Sequence, residues 1–382
     1  MLIQPKKNSG IPVGTILNSF TLPSSDWKIA DGSLLLKASY PLLSERLPNF
    51  YPGNYDLWEE QFFPTNDVEH IAYNGTIYVA IGSGISTYYT STNLIDWTSR
   101  NFFESINSYG IIWCEELNMF ILICSSSGKI LTSSDGINWD QRSTPVPRTT
   151  WRGIAYNGTI VCVISYDGHC VTSSNGIDWS EYSSPNVGYV SWFNSFIVHK
   201  ENFYVSLYGK NGPSGSIYKS TNGQSWTLQS VLPGMYNTGY IDSDGTIIVA
   251  ISNFSKISIS YDDGITWETG TIVETEHEYD YFMPEFPGGI KYVGGYWWLL
   301  YSYDMSISCS PDASVWYRID IVSYSFNLSD VLFDGEKYIL INEYSGYVVS
   351  ANSYDPDTYV KLPDIHYVPH DIHGAYPIIK IK

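Results

Sequence analysis

Ser260-Tyr-Asp-Asp-Gly-Ile-Thr-Trp267 is the stretch on which the reading of this chain turns. Asp262 can accept hydrogen bonds from the amides of a tight turn, Gly264 supplies a positive φ that other residues resist, and Trp267 starts the strand that follows. Worn copies of the unit recur along the chain. Their tryptophans are Trp58, Trp97, Trp139, Trp179, Trp226, Trp267 and Trp316, at intervals of 39, 42, 40, 47, 41 and 49 residues.

The text between tryptophans repeats as well. Residues 68–98 contain His70-Ile-Ala-Tyr73, an Asn74-Gly75 turn, Thr76-Ile-Tyr-Val-Ala-Ile81, Tyr88-Tyr-Thr-Ser91 and then Asp96-Trp97. These segments predict four antiparallel strands, A to D. Strand B is a nearly continuous apolar run in each copy, as in Ile160-Val-Cys-Val-Ile164 and Ile247-Ile-Val-Ala-Ile251, which requires cover on both faces. Asn157-Gly158, Asp244-Gly245 and Asp334-Gly335 stand at the same A-to-B hairpin as Asn74-Gly75. Periods near forty with four strands per repeat are the mark of propeller blades. A, B and C strands begin near 68, 109, 152, 189, 238, 289 and 329, and the last set has no tryptophan strand after it. The expectation is an all-β, seven-bladed β-propeller over residues 54–355, its ring closed by a D strand around Leu57 to Gln61. Closure removes the open edges of a linear array.

The octapeptide resembles the Asp box of sialidase-type β-propellers, whose pattern is Ser-x-Asp-x-Gly-x-Thr-Trp, and matches it at every specified position. The resemblance implies a structural role for Ser260, Asp262, Gly264 and Trp267, and for the aligned tryptophans, at the blade edge away from any active site. Aligned on the tryptophan, most copies carry Ser or Thr where Asp262 stands: Ser134, Ser174 and Thr221. Sialidase chemistry in that family needs a cluster of three arginines. Only six arginines exist here. Arg100, Arg142 and Arg318 follow outer strands, Arg46 lies outside the repeats, and Arg148 and Arg152 lack the family's surrounding motif.

The chain ends read differently. Ile11-Pro-Val-Gly-Thr-Ile-Leu17, Leu22-Pro23, Trp27, Ala30-Asp31-Gly32 and Tyr40-Pro41-Leu42-Leu43 resemble the first half of the phage tail-collar domain of short tail fibres. Its continuation is matched by Tyr359-Val-Lys-Leu-Pro-Asp364 and the closing run Tyr376-Pro-Ile-Ile-Lys-Ile-Lys382. The implied organisation is an N-terminal arm (1–9), a collar-like domain in two segments (10–53 and 356–382), and the propeller inserted between them. His366, His370 and His373 are weak candidates for the axial metal that such fibres can carry; ordinary surface histidines are the simpler reading, and no cofactor is expected. The resemblance also implies a homotrimer and other tail or baseplate proteins as partners.

Composition narrows the functional classes. With 33 Tyr, 13 Trp, 31 Gly and 19 Pro the chain favours strands and turns. Its 39 acidic against 20 basic residues, a net charge of −19, argue against nucleic acid, whose backbone must be neutralised by Lys and Arg. Sugars remain compatible. The five cysteines Cys114, Cys124, Cys162, Cys170 and Cys309 lack metal-ligand spacing and read as buried thiols. The start, Met1-Leu-Ile-Gln-Pro-Lys-Lys7, has no signal-like apolar run, and no apolar stretch is long enough to span a bilayer. The expectation is a virion tail protein made in the host bacterial cytoplasm, without membrane insertion.

Topology points to the binding face. A-to-B and C-to-D turns fall at one end of such a propeller, together with both linkers, which leaves the B-to-C and D-to-A loops free. Those loops carry Tyr166, His169, Tyr208, Tyr236, Tyr279, Tyr281, Tyr303 and Tyr344, rigid rings that give contact area at low entropic cost. They also carry Glu276, in the acidic run Glu274, Glu276, Glu278 and Asp280, which a solvated loop explains as readily as a sugar lip or a calcium site. The expected function is receptor binding by a phage tail fibre, the receptor being a host-surface glycan, with no catalysis. A structural virion protein and a polysaccharide-degrading glycosidase are the alternatives.

Overall fold

A computed structural model describes residues 58–352 apart from 64–67, 83–86, 104–105, 125–127, 147–148, 184–189, 210–214, 233–238, 252–255, 272–286, 305, 311, 315, 321–325, 336 and 343–346, together with strands at 16–19, 27–29, 34–36, 359–361 and 376–380. Among the described residues no helix is long and apolar enough to cross a membrane. The chain divides into two compact units, Met1–Leu57 with Asn352–Lys382, and Trp58–Ala351.

The first unit joins the two ends of the chain. Strands Ile16–Ser19 and Trp27–Ile29 both pair antiparallel with Tyr376–Lys380, and Leu34–Leu36 pairs with Tyr359–Lys361. A collar domain is not shown by these strands, because Pro23, Asp31, Tyr40 and Leu362 of the motif lie outside the described residues. So do His366, His370 and His373.

The second unit is an all-β propeller. Each four-stranded sheet is a meander in chain order, exemplified by the third: Trp151–Tyr156, Val161–Ser165, His169–Ser173 and Ser180–Ser183 as strands A to D. The hairpins form where the sequence demands them. Asn157 Oδ1 accepts the amides of Thr159 and Ile160 at 3.1 and 2.8 Å, with Gly158 at φ +87°. Asn74 and Asp244 take the amides of their own turns in the same way.

Counted as hydrogen-bonded sheets, the propeller has six blades, five of four strands and a sixth of eight. This corrects the expectation of seven separate four-stranded sheets. The cause is the long strand Tyr296–Asp304, whose far end outruns its own hairpin and pairs with Phe326–Phe333 through Ser302↔Asn327 and Asp304↔Phe326. Strand Trp58–Phe62 pairs antiparallel with Tyr347–Asn352, with Trp58 opposite Ala351, so the N-terminal strand completes the last sheet. Entry and exit of the unit are thus cross-strand neighbours.

The core lies between sheets rather than within one. Along Met119–Cys124, Phe120 and Leu122 pack with Val79 and Ile81 of the sheet before, whereas Ile121 and Ile123 pack with Val161 and Val163 of the sheet after. Period-two alternation aims every other side chain at the opposite neighbour, which is why B strands are apolar throughout. Burying one such side chain is worth roughly 1.5–3 kcal/mol. The last sheet meets the first by the same rule: Ile339 and Ile341 join Ile71, Tyr78 and Ala80 in one cluster, and Tyr78 Oη donates to Asp334 Oδ2 at 2.5 Å. All five cysteines are buried and none is in a disulfide.

The Asp-box turns differ from their expected alignment. In each of six copies a serine hydroxyl meets the side-chain oxygen two residues on, from Ser260–Asp262 at 2.9 Å to Ser310–Asp312 at 3.3 Å. That oxygen then takes the turn amides. Asp135 Oδ1 accepts from Ile137 and Asn138 at 2.8 and 2.7 Å, and Asn175 and Asn222 do the same in their copies. Desolvation pushes the Asp135 carboxyl up, but the hydrogen bonds from Asn138 and Ile137 overcome it and hold it at about 2. Ser134, Ser174 and Thr221 therefore do not replace Asp262; they stand where Tyr261 stands. Registering on the tryptophan hid a difference of one residue. The copy that matches the pattern throughout is the longer one, with Asp263 inserted at φ +60°.

These turns also reach into the preceding sheet. A Cβ on Gly136 would sit 2.7 Å from Val79 Cγ2, and one on Gly176 would sit 2.8 Å from Met119 Sδ. Tyr88 Oη donates to Ile137 O at 2.8 Å, and Tyr204 Oη to Asp263 O at 3.0 Å, again across sheets.

Candidate functional site

The A strands neighbour one another in chain order, and Phe326–Phe333 neighbours His70–Tyr73, so they close around an axis. Their turn ends carry the Asn-Gly and Asp-box turns; their loop ends carry the B-to-C and D-to-A connections. The site is built from the loop end of the second and third sheets, where side chains are described.

The B-to-C loop of the third sheet, Tyr166-Asp-Gly168, is held from both sides. Tyr166 N donates to Thr150 O at 2.9 Å, and the Thr149 hydroxyl donates to Asp167 Oδ1. Ser165 Oγ accepts from His169 N at 2.8 Å, and Gly168 takes φ +94°, which its lack of a Cβ permits. Partial burial would raise the Asp167 carboxyl, but the hydrogen bonds of Ser165 and Thr149 outweigh it and lower it. His169 Nδ1 lies 2.8 Å from Glu181 Oε1 on the neighbouring strand, both side chains being 40% exposed. At that exposure the pair is screened and positions the ring more than it stabilises the fold.

Two β-bulges aim side chains at this loop. In the second sheet the register passes from Cys124↔Ser108 to Ile123↔Gly110, which leaves Tyr109 without a cross-strand partner. In the third it passes from Trp151↔Ser165 to Ile164↔Gly153, which leaves Arg152 as the extra residue. A bulge turns such a side chain away from the regular alternation. The Arg152 guanidinium carbon lies 4.5 Å from the centre of the Tyr109 ring and 5.8 Å from that of Tyr166. Burial pushes the phenol of Tyr240, on the A strand of the fifth sheet, above its ordinary value, and Tyr109 adds to the rise.

Of the residues expected at the binding face, Tyr166 and His169 belong to this cluster. Tyr208 and Tyr303 fall near the ends of strands Asn202–Gly209 and Tyr296–Asp304. Tyr236, Glu276, Tyr279, Tyr281 and Tyr344 lie outside the described residues. Sequence reasoning passed over Tyr109 and Arg152, since a bulge is a matter of register between strands. Arg152 was weighed only as part of a sialidase cluster. Arg100 and Arg142 do sit in outer strands, where each donates to a threonine of the next strand, Thr90 at 2.8 Å and Thr132 at 2.7 Å.

Deeper along the A strands lies a second group of charges. Asp330 meets Lys291 in a short ion pair and His70 Nδ1 at 3.7 Å, linking the last sheet to the first. Desolvation raises the Asp330 carboxyl, but Lys291 and His70 overcome it and hold it at about 2. Asp242 accepts the Tyr292 amide at 2.7 Å, yet burial prevails there and pushes its carboxyl up to about 6. Among the described residues no three metal-binding side chains converge. A cavity of about 550 Å³ opens away from both groups, on the outer strands beside Phe103, Ile137 and Trp139.

The chain belongs to the DUF6242 beta propeller domain family, which it matches over residues 58–288. No curated protein matches the sequence. Among solved structures, YCF48 bound to D1 peptide is 15% identical over 81% of this chain and 100% of that one, with a TM-score of 0.63. Virginiamycin B lyase from Staphylococcus aureus is 14% identical over 78% of this chain and 99% of its own, at 0.64. The WD40 beta propeller domain of Doa1 is 12% identical over 76% and 94%, at 0.54. At these identities the likeness is one of fold.

Proposed function

We propose that the chain is a receptor-binding protein of bacteriophage tail-fibre type, in which the loop end of the propeller takes up a host-surface glycan. The observation that carries the binding is Arg152 lying over the rings of Tyr109 and Tyr166, with Arg152 and Tyr109 on two bulges and Tyr166 in a braced loop. Aromatic faces with fixed hydrogen-bond donors are the chemistry that holds sugars, and rigid rings lose little entropy on binding. The tail-fibre context is drawn from the collar-like motifs of residues 10–53 and 356–382, and with it a virion location and attachment to other tail proteins. Copies displayed together, as in a trimer, would turn weak sites into useful avidity.

In this reading the eight-stranded sheet acts as two blades of four, which makes seven around the axis. The pairing of Trp58–Phe62 with Tyr347–Asn352 supports that division, since it supplies a fourth strand to the last set.

Adsorption of the fluorescently labelled full chain to bacteria tests the proposal. Saturable binding that purified surface polysaccharide competes away is the expected result. Binding to phage tail particles without binding to any bacterial surface would overturn it in favour of a structural role, and release of reducing ends from the polysaccharide would overturn it in favour of a glycosidase.

A further inference from the structure

We infer that Arg152 is the anchor of an anion site at the loop end, made for the carboxylate of an acidic saccharide; this rests on the glycan-binding reading above and names the ligand class. Three independent observations converge on it. First, Arg152 and Tyr109 are both bulge residues of consecutive A strands, so the backbone itself departs from regular pairing to bring them together. Second, the guanidinium carbon lies over two rings, 4.5 Å from the centre of one and 5.8 Å from that of the other, within cation–π reach of both. Third, it has no counter-ion among the described residues: none places a carboxylate oxygen within 4.0 Å of it.

The third point gains weight from its surroundings. In a chain of net charge −19 acidic partners are abundant, and other cations use them. Arg142 pairs with Asp140 at 3.0 Å, Lys200 with Asp263 at 2.6 Å, and Lys291 with Asp330. A half-buried guanidinium left without such a partner retains its full capacity for an incoming anion. Cation–π contact draws on the charge of the guanidinium rather than on its N–H fork, which a bidentate carboxylate can engage. The phenols of Tyr109 and Tyr166 add hydroxyl groups beside it. One cation among hydroxyl donors suits a single carboxylate on a polar ring better than a polyanion, which would meet the charge of the whole chain.

Titration of the full chain with D-galacturonate, D-galactose and propionate, followed by NMR chemical shifts, tests the inference. Galacturonate is expected to bind at least about tenfold more tightly than either other probe, as a charge-assisted pair adds to the ring contacts. Arg152→Gln is expected to reduce galacturonate binding to the galactose level. Arg152→Lys, which keeps the charge and loses the fork, should fall between and stands in if the glutamine variant does not fold. Equal binding of galactose and galacturonate, or unchanged galacturonate binding by both variants, overturns the anion site and leaves the glycan reading in place. Propionate binding as tightly as galacturonate overturns the saccharide. Loss of cell adsorption with galacturonate binding intact would instead overturn the receptor reading and keep the site.

Discussion

His199 Nε2, on a side chain with no exposed surface, lies 3.0 Å from Oδ1 of Asp263, the residue that makes the fifth Asp-box turn longer than the others. The other ring nitrogen is 2.6 Å from Ser243 Oγ, so the imidazole is clamped between the fourth and fifth sheets. The inserted residue is therefore a lock rather than a defect.

Asp263→Ala should destabilise the propeller by about 1–3 kcal/mol, because it leaves a buried ring nitrogen without its partner. The carboxyl itself is lowered, first by Lys200 and then by His199. A lowered carboxyl contributes stability above the ordinary aspartate range that is lost as pH falls through its folded value. With the side chain 37% exposed, screening keeps that electrostatic part below about 1 kcal/mol. Asp263→Asn should accordingly cost less than the alanine variant, and its deficit in urea unfolding should fade as pH falls below the ordinary aspartate value of about 4.

Gly75 and Gly136 share a positive φ, +86° and +70°, but differ in surroundings. A Cβ at Gly75 meets nothing within 4 Å, whereas one at Gly136 meets Val79 and Phe120. Gly75→Ala should cost about 1–2 kcal/mol of backbone strain. Gly136→Ala should cost a further 1–3 kcal/mol or so from overpacking between sheets. Equal losses in thermal unfolding would show that the Asp-box turn does not clip one sheet to the next.

Asp330 and Asp242 titrate in opposite senses. The Asp330 carboxyl, held at about 2, contributes stability that is present above the ordinary aspartate value and lost as pH falls through 2. Asp330→Asn should cost about 2 kcal/mol at neutral pH and nothing at the acid limit. Asp242, pushed up to about 6, is favoured in its protonated form, so its contribution is present below the ordinary value and lost as pH rises through 6. Asp242→Asn keeps an acceptor for the Tyr292 amide and should be more stable than the parent above pH 6, by about 1–3 kcal/mol. Denaturant midpoints at acid and neutral pH distinguish the two.

Leu122 has no exposed surface and packs between the first and second sheets. Leu122→Ala should cost about 2–5 kcal/mol. Ile177, 45% exposed on an Asp-box turn, is the control, and Ile177→Ser should lie within about 0.5 kcal/mol of the parent. A large loss at Ile177 would mean that the turn end is covered in solution.

Much of the fold was legible in the residues because its determinants are local. An Asn-Gly or Asp-Gly pair makes a hairpin wherever it falls, and an apolar run such as Met119–Cys124 needs cover on both faces whatever covers it. Strand order, the repeat and the pairing partner of Trp58–Phe62 follow from such signals. Less of the site was legible. Tyr166 and His169 were marked by a loop, but Tyr109 and Arg152 sit inside strands, where nothing in the one-dimensional text separates a bulged residue from a paired one.

By itself, then, the sequence determined an all-β repeat of four-stranded meanders, with turns at one end and aromatic loops at the other. Only the tertiary structure decided that Tyr296–Asp304 runs on to pair with Phe326–Phe333, that Asp or Asn holds the Asp-box position in every described turn, and that Arg152 lies over rings from two different sheets. The physical reason is common to all three. Each depends on the register between segments brought together by folding, and a shift of one residue in register changes which side chains meet without changing any local preference.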